Sequence, residues 1–166
     1  MNKVLITLND AMILATNYAI SGVENELGGP FGAAILKRDS SSHDLYEVIA
    51  LGRNTVISSL DPTNHAEMNA IREACKKLKT FDLTGYILVT TGESCPMCKS
   101  ATMWANITEV YYGTTYYDAE LIGFRDKHID EHLKGKIKLL NEKQLNREYA
   151  LKCHQHWINK ENKTLY

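Results

Sequence analysis

The sequence predicts an α/β protein, built as a three-layer α/β/α sandwich around a mixed, mostly five-stranded sheet with helices on both faces. Three observations support this fold class. Short apolar segments typical of strands alternate with longer segments of helical periodicity. A polar loop separates the first two strands, which indicates a hairpin. Helices are interleaved with the later strands, which makes the sheet mixed and covers both of its faces.

The first half of the chain begins with a helix, followed by the hairpin and a second helix. The chain breaks at Gly28-Gly29-Pro30, and the polar loop of the hairpin is Ser40-Ser41-Ser42. The turn Asp61-Pro62-Thr63-Asn64 carries helix-capping side chains and opens the second helix. The elements predicted here are a helix over 7–21, strands over 31–36 and 46–51, and a helix over 65–79.

The second half continues the alternation of strands and helices. Pro96 suits the first turn of a helix, and the last helix has apolar residues at four-residue steps from Leu145 to Trp157. The elements predicted here are a strand over 86–90, a helix from Pro96, strands over 108–113 and 136–140, and a helix over 142–159. Because no repeat or linker interrupts the chain, residues 1–166 are predicted to form one domain, with 141–166 as a C-terminal helix and tail.

The charge balance gives no indication of a nucleic-acid partner. The chain has 19 basic and 20 acidic residues, whereas phosphate binding usually requires a basic excess. No stretch approaches the roughly 20 apolar residues that a membrane span needs, and the apolar start lacks the features of a signal peptide. We therefore expect a cytoplasmic protein that binds a small molecule, and neither nucleic acid nor a membrane.

Two short motifs predict a metal site. His65-Ala66-Glu67 precedes one predicted helix, and Cys95-Pro96-Met97-Cys98 follows 30 positions later at the start of another. Two thiolates and an imidazole form a ligand set that suits zinc. Free N–H groups at a helix start also stabilise anionic sulfur. The sequence therefore predicts a zinc ion held by His65, Cys95 and Cys98.

The predicted zinc site is catalytic, because a fourth protein ligand is hard to find. Cys75 lies about 15 Å along the helix from His65 and is out of reach. A fourth ligand among Cys153, His154 and His156 is conceivable but has no support. The open position leaves room for a water that zinc acidifies into a nucleophile. Glu67, two residues from a ligand, is then placed to act as general acid and base.

At these motifs the chain resembles the cytidine-deaminase superfamily of zinc-dependent nucleobase and nucleotide deaminases, whose signature is His-x-Glu followed by Pro-Cys-x-x-Cys. It is most similar to the bacterial guanine deaminases, and the likeness covers most of the first 130 residues. Further similar stretches are Gly28-Gly29-Pro30-Phe31-Gly32-Ala33, Asp61-Pro62-Thr63-Asn64, Ile71-Arg72-Glu73-Ala74-Cys75, Met103-Trp104-Ala105, Asp118-Ala119 and Ile122-Gly123-Phe124.

The resemblance implies hydrolysis of guanine to xanthine and ammonia, in a homodimer. It also implies a pocket beside the zinc ligand His65, closed by a C-terminal segment from the same chain or exchanged with the partner. The roles it implies are base binding by Asn54, pocket lining by Phe31, substrate contact by Trp104, proton transfer to the amine by Asp126, and closure over the substrate by Tyr166.

Several positions depart from the family pattern. The usual Ser-Cys-Glu-Pro before the paired cysteines is here Thr91-Gly92-Glu93-Ser94, and the usual Gly-Phe-Asp-Asp carries Arg125 in place of its first aspartate. Asn106 replaces an arginine. None of these changes touches a zinc ligand or Glu67, so they affect the choice of base rather than the reaction. Arg125, if it points inward, favours a substrate with a carboxylate or phosphate.

Three alternatives from other classes of protein remain at this point. His128-Ile129-Asp130-Glu131-His132 spells an inverted metalloprotease motif, although a short, charged and solvated helix is the better explanation. Cys95 and Cys98 suit a thioredoxin-like redox pair, but His65 and Glu67 then have no role. A non-catalytic protein stabilised by zinc is a further alternative.

Other substrates stay open within the deaminases. Guanosine, deoxycytidylate and the adenosine of a transfer RNA are the alternatives to guanine. The near-neutral charge and the long C-terminal extension argue against a transfer RNA substrate. Free cytidine deaminases fit less well, because they commonly use a cysteine in place of His65.

Overall fold

The computed structural model describes residues 4–165, in which a five-stranded sheet is flanked by helices on both faces. The elements, in chain order, are β1 (Leu5–Ile6), α1 (Leu8–Glu24), β2 (Gly32–Arg38), β3 (Tyr46–Arg53), α2 (Val56–Ser59), α3 (Ala66–Leu78), β4 (Tyr86–Gly92), α4 (Pro96–Trp104), β5 (Glu109–Thr114), α5 (Tyr116–Leu121), α6 (Asp126–Leu133) and α7 (Arg147–Asn159). The predicted three-layer α/β fold is confirmed.

The sheet is mixed, as the interleaving of helices and strands predicted. Its strand order is β1-β3-β2-β4-β5. The hairpin strands β2 and β3 pair antiparallel, β2 also pairs antiparallel with β4, and β4 pairs parallel with β5. A parallel pair needs a crossover, which α4 provides. The N-terminus of α4 therefore follows the end of β4 directly.

Residues of β2 alternate between two apolar cores. Ala33 and Ile35 belong to the core that α3 and α4 cover, whereas Ala34 and Leu36 belong to the core that α1 covers. This alternation follows from the two-residue period of a strand. Because both faces are covered, the whole run from Ala33 to Leu36 is buried, which explains its uninterrupted apolar sequence.

A glycine sets the distance between the sheet and the helix that carries His65. A Cβ atom on Gly52 of β3 would overlap the carbonyl oxygen of Ala66 and would lie 2.5 Å from the backbone nitrogen of Ala70. Only a residue without a side chain allows this close approach. The first turn of α3 is therefore fixed directly against the backbone of β3.

The predicted strand over 136–140 is wrong. This segment has no regular structure, and its backbone packs against the ring of His132: Nδ1 of His132 lies 3.1 Å from the carbonyl oxygen of Ile137 and 3.1 Å from the nitrogen of Leu139. The fifth strand is instead β1, which pairs with β3 at the opposite edge of the sheet from β5.

The C-terminal segment is exposed. Every described residue from Asn141 to Leu165 is exposed, including the apolar side chains of Leu145 (88%) and Tyr149 (67%). The last helix also starts later than predicted, because Asn146 caps it by accepting a hydrogen bond from the backbone N–H of Tyr149. Among the described residues, no helix combines the length and apolar character needed to cross a membrane.

Candidate active site

Three side chains with metal-binding atoms converge where α3 and α4 begin. The ligand atoms of His65, Cys95 and Cys98 all lie within 4.8 Å of one another. Sγ of Cys95 is 3.6 Å from Nδ1 of His65. A sulfur and a nitrogen ligand of one tetrahedral zinc ion stand roughly 3.5 Å apart, given zinc bonds of about 2.3 and 2.0 Å. The donor set and its spacing therefore fit zinc.

Local structure explains why these residues meet. His65 is the N-cap of α3 and Cys95 is the N-cap of α4, both with extended backbone, and Cys98 lies in the first turn of α4. Pro96 occupies the first position of α4, where its missing N–H costs nothing. Both helices thus direct the positive ends of their dipoles toward the site, which favours anionic sulfur.

The two thiols differ in acidity. Hydrogen bonds from Cys98 and His65 lower the pKa of Cys95 to about 4, in spite of its burial. The pKa of Cys98 is raised, mainly because its proton is held by the Cys95 sulfur. Contact with Cys95 also raises the pKa of His65. A bound zinc ion holds both sulfurs as thiolates, because metal binding displaces thiol protons.

Glu67 lies in the first turn of α3 and is 5% exposed. Burial raises the pKa of its carboxyl, and the negative charge of Cys95 raises it further, while Ser94 and His65 act in the opposite direction. Glu67 lines the same pocket as His65 and Cys95 but is not part of the metal-binding group. A buried carboxyl with a raised pKa, beside a metal, suits general acid and base catalysis.

These residues lie in a cavity of about 460 Å³. Its aromatic wall is the pair of Phe31 and Phe124, whose ring centroids are 4.8 Å apart with the planes 85° to each other. The predicted site residues that line the cavity are Phe31, Asn54, His65, Glu67, Cys95 and Asp126, and Arg125 is there as well. The cavity therefore brings together most of the predicted site.

Asn54 presents one side of its amide to the cavity. The residue is 4% exposed, and its Oδ1 accepts hydrogen bonds from the backbone N–H groups of Gly29 (3.2 Å) and Val56 (3.1 Å). A Cβ atom on Gly28 would overlap this oxygen, so glycine is required there. With the oxygen engaged, the Nδ2 group is the part of the side chain left to donate to a ligand.

Asp126 and Arg125 come from the start of α6. Asp126 is partly buried, and burial raises the pKa of its carboxyl; Cys95 raises it further and His65 lowers it. Arg125 is the N-cap residue of α6 and is exposed, at the rim of the cavity. The start of α6 therefore adds a carboxyl and a guanidinium to the lining of the cavity.

Two predicted substrate contacts are not found in this cavity. Trp104 is 67% exposed and does not line it, because it ends α4 and lies roughly 14 Å along that helix from Cys95. Its contact with substrate stays a prediction. Tyr166 lies outside the described residues, and its predicted role also stays a prediction.

The structure does not support the alternative metal and redox sites. Within residues 4–165, the metal-binding group of His65, Cys95 and Cys98 includes neither His128 nor His132. Cys75 is also outside this group, as its distance along α3 predicted, and so are the remaining candidates Cys153, His154 and His156. Cys95 and Cys98 are both free thiols, with His65 placed as their third partner.

Sequence reasoning gave no role to several residues of the cavity, among them Phe124 and Ile129. Phe124 appeared in the similar stretches but was given no role, although it forms the aromatic wall with Phe31. Ile129 also lines the cavity. The available signal was its position three residues after Asp126, on the same side of a short helix.

The comparisons with known proteins agree with this geometry. The model of the cytidine and deoxycytidylate deaminase zinc-binding region matches residues 6–114. Guanine deaminase of Bacillus subtilis is 44% identical over 115 residues, 69% of each protein. A crystal structure of guanine deaminase from the same organism superposes with a TM-score of 0.85 and 36% identity, covering 97% of this chain and 99% of that one.

A more distant group of relatives acts on RNA. The tRNA-specific adenosine deaminase of Buchnera aphidicola is 33% identical over 129 residues, which are 77% of this chain and 80% of that protein. The matched zinc-binding region contains His65, Glu67, Cys95 and Cys98, the residues that meet in the cavity. The chain therefore belongs to the cytidine and deoxycytidylate deaminase family and is a zinc-dependent hydrolase that removes amino groups from nucleobases.

Proposed function

We propose that this enzyme converts guanine to xanthine and ammonia. The observation that carries the proposal is the cavity itself, in which the Asn54 amide and the Phe31–Phe124 wall stand beside the metal-binding group and Glu67. A flat heterocycle fits between an aromatic wall and a single hydrogen-bond donor. The similarity to guanine deaminase of Bacillus subtilis, over nearly the whole of both chains, supports the same substrate.

The residues divide the proposed reaction between them. His65, Cys95 and Cys98 would hold a zinc ion, which would supply the nucleophile by acidifying a water. Glu67 accepts the proton of the attacking water and delivers it to the ring nitrogen next to the amine-bearing carbon. The hydroxyl group added to that carbon then gives its proton through Glu67 to the amine, the carbon–nitrogen bond breaks, and the amine departs as ammonia. Asp126 accepts a hydrogen bond from that amine and guides this last transfer.

Asn54 and the aromatic wall orient the base. The Nδ2 group donates to an acceptor on the ring, while the edge-to-face pair restricts the ring to one plane. Both contacts place the amine-bearing carbon near the metal-binding group. The energy of binding is thus used to hold the base in its reactive orientation.

A screen of ammonia release tests the substrate. The substrates are guanine, guanosine, adenine, cytosine and their nucleosides and monophosphates, with an adenosine-containing anticodon stem-loop as the RNA arm. We expect kcat/KM for guanine to exceed that for every other substrate by at least about tenfold. The Glu67→Gln variant controls for contaminating activity. A higher kcat/KM on adenine, cytosine, a nucleoside or the RNA contradicts the proposal.

A nucleoside monophosphate is the second candidate substrate. The observation that favours it is Arg125, a cation at the rim of the cavity where the family pattern has a carboxylate. A guanidinium binds phosphate through two parallel hydrogen bonds. The Arg125→Asp variant tests this candidate: a preference for monophosphates over bases that reverses on this substitution supports it, and unchanged ratios contradict it.

We also propose that the enzyme is a homodimer whose C-terminal segments are exchanged, bringing Tyr166 over the substrate of the partner. The support is that the chain exposes two apolar surfaces that could pack against a partner. Residues 141–165 are exposed throughout, and α4, β5 and α5 leave a second apolar surface exposed. That surface consists of Met103, Trp104, Val110, Tyr111, Tyr112, Tyr117 and Leu121. Apolar surfaces of this extent are typical of interfaces.

The cytoplasmic location stays a prediction.

A complementation experiment tests the exchange. Chains with Glu67→Gln are mixed with chains that end at Leu140, after brief partial unfolding and refolding. A tail that acts across the dimer restores activity, because the intact Glu67 site of the short chain receives a tail from its partner. A tail that acts within its own chain gives no more activity than the two preparations measured apart. Light scattering of the full chain checks that it is dimeric.

A further inference from the structure

The end of β4 lies directly against the aromatic wall of the cavity. Gly92, the last residue of β4, is buried and lines the cavity. A Cβ atom on Gly92 would lie 3.2 Å from both Cδ1 and Cε1 of Phe31. Carbon atoms in favourable contact are about 3.5–4.0 Å apart, so a side chain at this position would press on the ring. The Phe31 ring can therefore stand where it does because Gly92 has no side chain.

A second glycine borders the wall from the other side. A Cβ atom on Gly29 would lie 2.7 Å from Cζ of Phe124 and 3.4 Å from Cδ2 of Phe31, the ring edge opposite the one that faces Gly92. Gly29 also lines the cavity. The edge-to-face pair of Phe31 and Phe124 is thus enclosed between two glycines, and neither ring has spare room beside it.

The backbone beside Gly92 is tied to its neighbours on both sides. The hydroxyl of Thr91 accepts a hydrogen bond from the backbone N–H of Gly32 (3.0 Å), and the carbonyl of Thr91 accepts one from the hydroxyl of Thr114 (3.1 Å). Gly92 itself pairs with Thr114 in the sheet. A side chain added at Gly92 would therefore displace the Phe31 ring, which turns about its own side-chain bonds, and would leave β4 in place.

We propose that Gly92 positions the aromatic wall and thereby determines the width of the cavity, so that the enzyme accepts a base that carries a small substituent such as a methyl group. Gly92 acts through Phe31 in this role. The proposal deepens the proposed function, because it rests on a base that binds against this wall, but it holds for whichever base is preferred. The family pattern has cysteine at this position, so the missing side chain is a feature of this chain.

Inhibition constants measured on the zinc-loaded, full-length enzyme test the width of the cavity. The parent base is the one with the highest kcat/KM in the ammonia screen, and the probes are its methyl derivatives. We expect the wild-type enzyme to bind at least one derivative within about tenfold of the parent base. Gly92→Ala should weaken binding of that derivative about tenfold, should weaken binding of the parent base about threefold or less, and should leave kcat nearly unchanged.

Two outcomes of this measurement overturn the proposal. A wild-type enzyme that binds none of the derivatives has no spare width, and an equal loss for parent and derivative in Gly92→Ala means that the substitution does not act on width. Because the parent base is taken from the screen, a preference for a base other than guanine contradicts the proposed substrate and leaves this test intact.

A matched control and a rescue variant separate the effect on Phe31 from general damage. Gly22→Ala is the control, since its Cβ would lie 3.1 Å from Cδ of Arg53, an equally tight contact at a residue that does not line the cavity. Both inhibition constants should stay within about twofold there. Phe31→Leu removes the ring, so Gly92→Ala should change the ratio of the two constants less in that background. An equal change in both backgrounds overturns the proposal.

Fluorine NMR gives a readout that does not depend on turnover or on the substrate. The chain has three phenylalanines, Phe31, Phe81 and Phe124, so fluorophenylalanine labelling gives three signals, which single Phe→Leu variants assign. We expect Gly92→Ala to shift the signals of Phe31 and Phe124 and to leave that of Phe81, which does not line the cavity, in place. Three unchanged signals overturn the proposal. So does a Gly92→Ala chain that fails to fold and is not rescued by Phe31→Leu.

Discussion

The two parts of the chain on either side of Thr115 differ sharply in packing. Residues 5–114 form the sheet and its covering helices, and they include all of the large side chains that are fully buried: Ile35, Leu36, Leu83, Ile87, Leu88, Val89, Thr90 and Cys98. From Thr115 to Leu165, Ala119 is the single buried residue. Both parts nevertheless contribute to one cavity.

The difference separates the chemistry from the choice of substrate. The metal ligands and Glu67 belong to the packed part, on helix starts held against the sheet. Phe124, Arg125 and Asp126, which face the ligand from the other side, belong to the exposed part. Precise geometry for bond breaking needs rigid support, whereas recognition tolerates a looser frame. Substitutions in the two parts should therefore differ in their effects on kcat, zinc content and stability.

The largest effect is expected in the packed part. Glu67→Gln should lower kcat by at least about 10²–10⁴, because the proton carrier is lost. Zinc content should stay at one equivalent, since Glu67 is not part of the metal-binding group. Ammonia release and metal analysis check both statements. A variant with a near-normal rate would disprove the assigned role of Glu67.

A smaller effect is expected from the exposed part. Asp126→Asn should lower kcat about tenfold, because an amide of the same shape hydrogen-bonds the amine less well and cannot carry a proton. Thermal stability and zinc content should not change, because Asp126 lies on a short helix outside the core. Steady-state kinetics and a melting curve test this. A drop in stability comparable with that of a core variant would mean that the two parts are not separate.

Removal of α7 and the tail tests directly whether the packed part is independent of the exposed part. A chain that ends at Leu140 should keep its fold and its zinc, because every described residue from Asn141 to Leu165 is exposed in the single chain and none belongs to the metal-binding group. Circular dichroism melting and metal analysis measure this. Loss of zinc binding in the shortened chain would show that the packed part depends on the exposed one.

The smallest effect that we expect is a pH-dependent change of stability caused by Asp61, in the turn before His65. Asp61 accepts hydrogen bonds from the backbone N–H (2.8 Å) and hydroxyl (2.7 Å) of Thr63, which lower the pKa of its carboxyl below the usual 3.8. A lowered pKa in the folded protein adds stability above the unfolded pKa, and that stability is lost as the pH falls through the folded pKa.

Asp61→Asn should therefore reduce the free energy of unfolding at neutral pH and should have a smaller effect at about pH 3, because the contribution of the carboxylate is lost as the pH falls toward its lowered folded pKa. Urea unfolding at the two pH values measures the difference. A destabilisation that is the same at both values would mean that the charge of Asp61 plays no part.

Local patterns predicted much of the fold and the metal site. The helices α1, α3, α4 and α7 and four of the five strands follow from apolar periodicity and from the turn residues, which are properties of neighbouring positions, whereas α2, α5 and α6 were not predicted. The zinc ligands were predictable because His65 and the Cys95–Cys98 pair each start a helix, and the exclusion of Cys75 follows from helix length alone.

What the sequence did not reveal depends on contacts between distant residues. Residues 136–140 have strand-like composition, but the His132 ring occupies their backbone groups. The strand Leu5–Ile6 is too short to give a periodic signal. The cavity positions of Phe124 and Ile129 depend on how α6 packs against α4 and α5, which neighbouring residues do not determine.

His65 and Glu67 share a single helical turn, so covalent geometry fixes the distance between the metal and the proton carrier. An insertion of one residue between them would rotate Glu67 by about 100° and move it about 1.5 Å. No rearrangement elsewhere in the chain alters that spacing. A graft of the segment after Thr115 from a relative of different specificity would therefore replace Phe124, Arg125 and Asp126 in the cavity wall and keep the spacing between the metal-binding group and Glu67 unchanged.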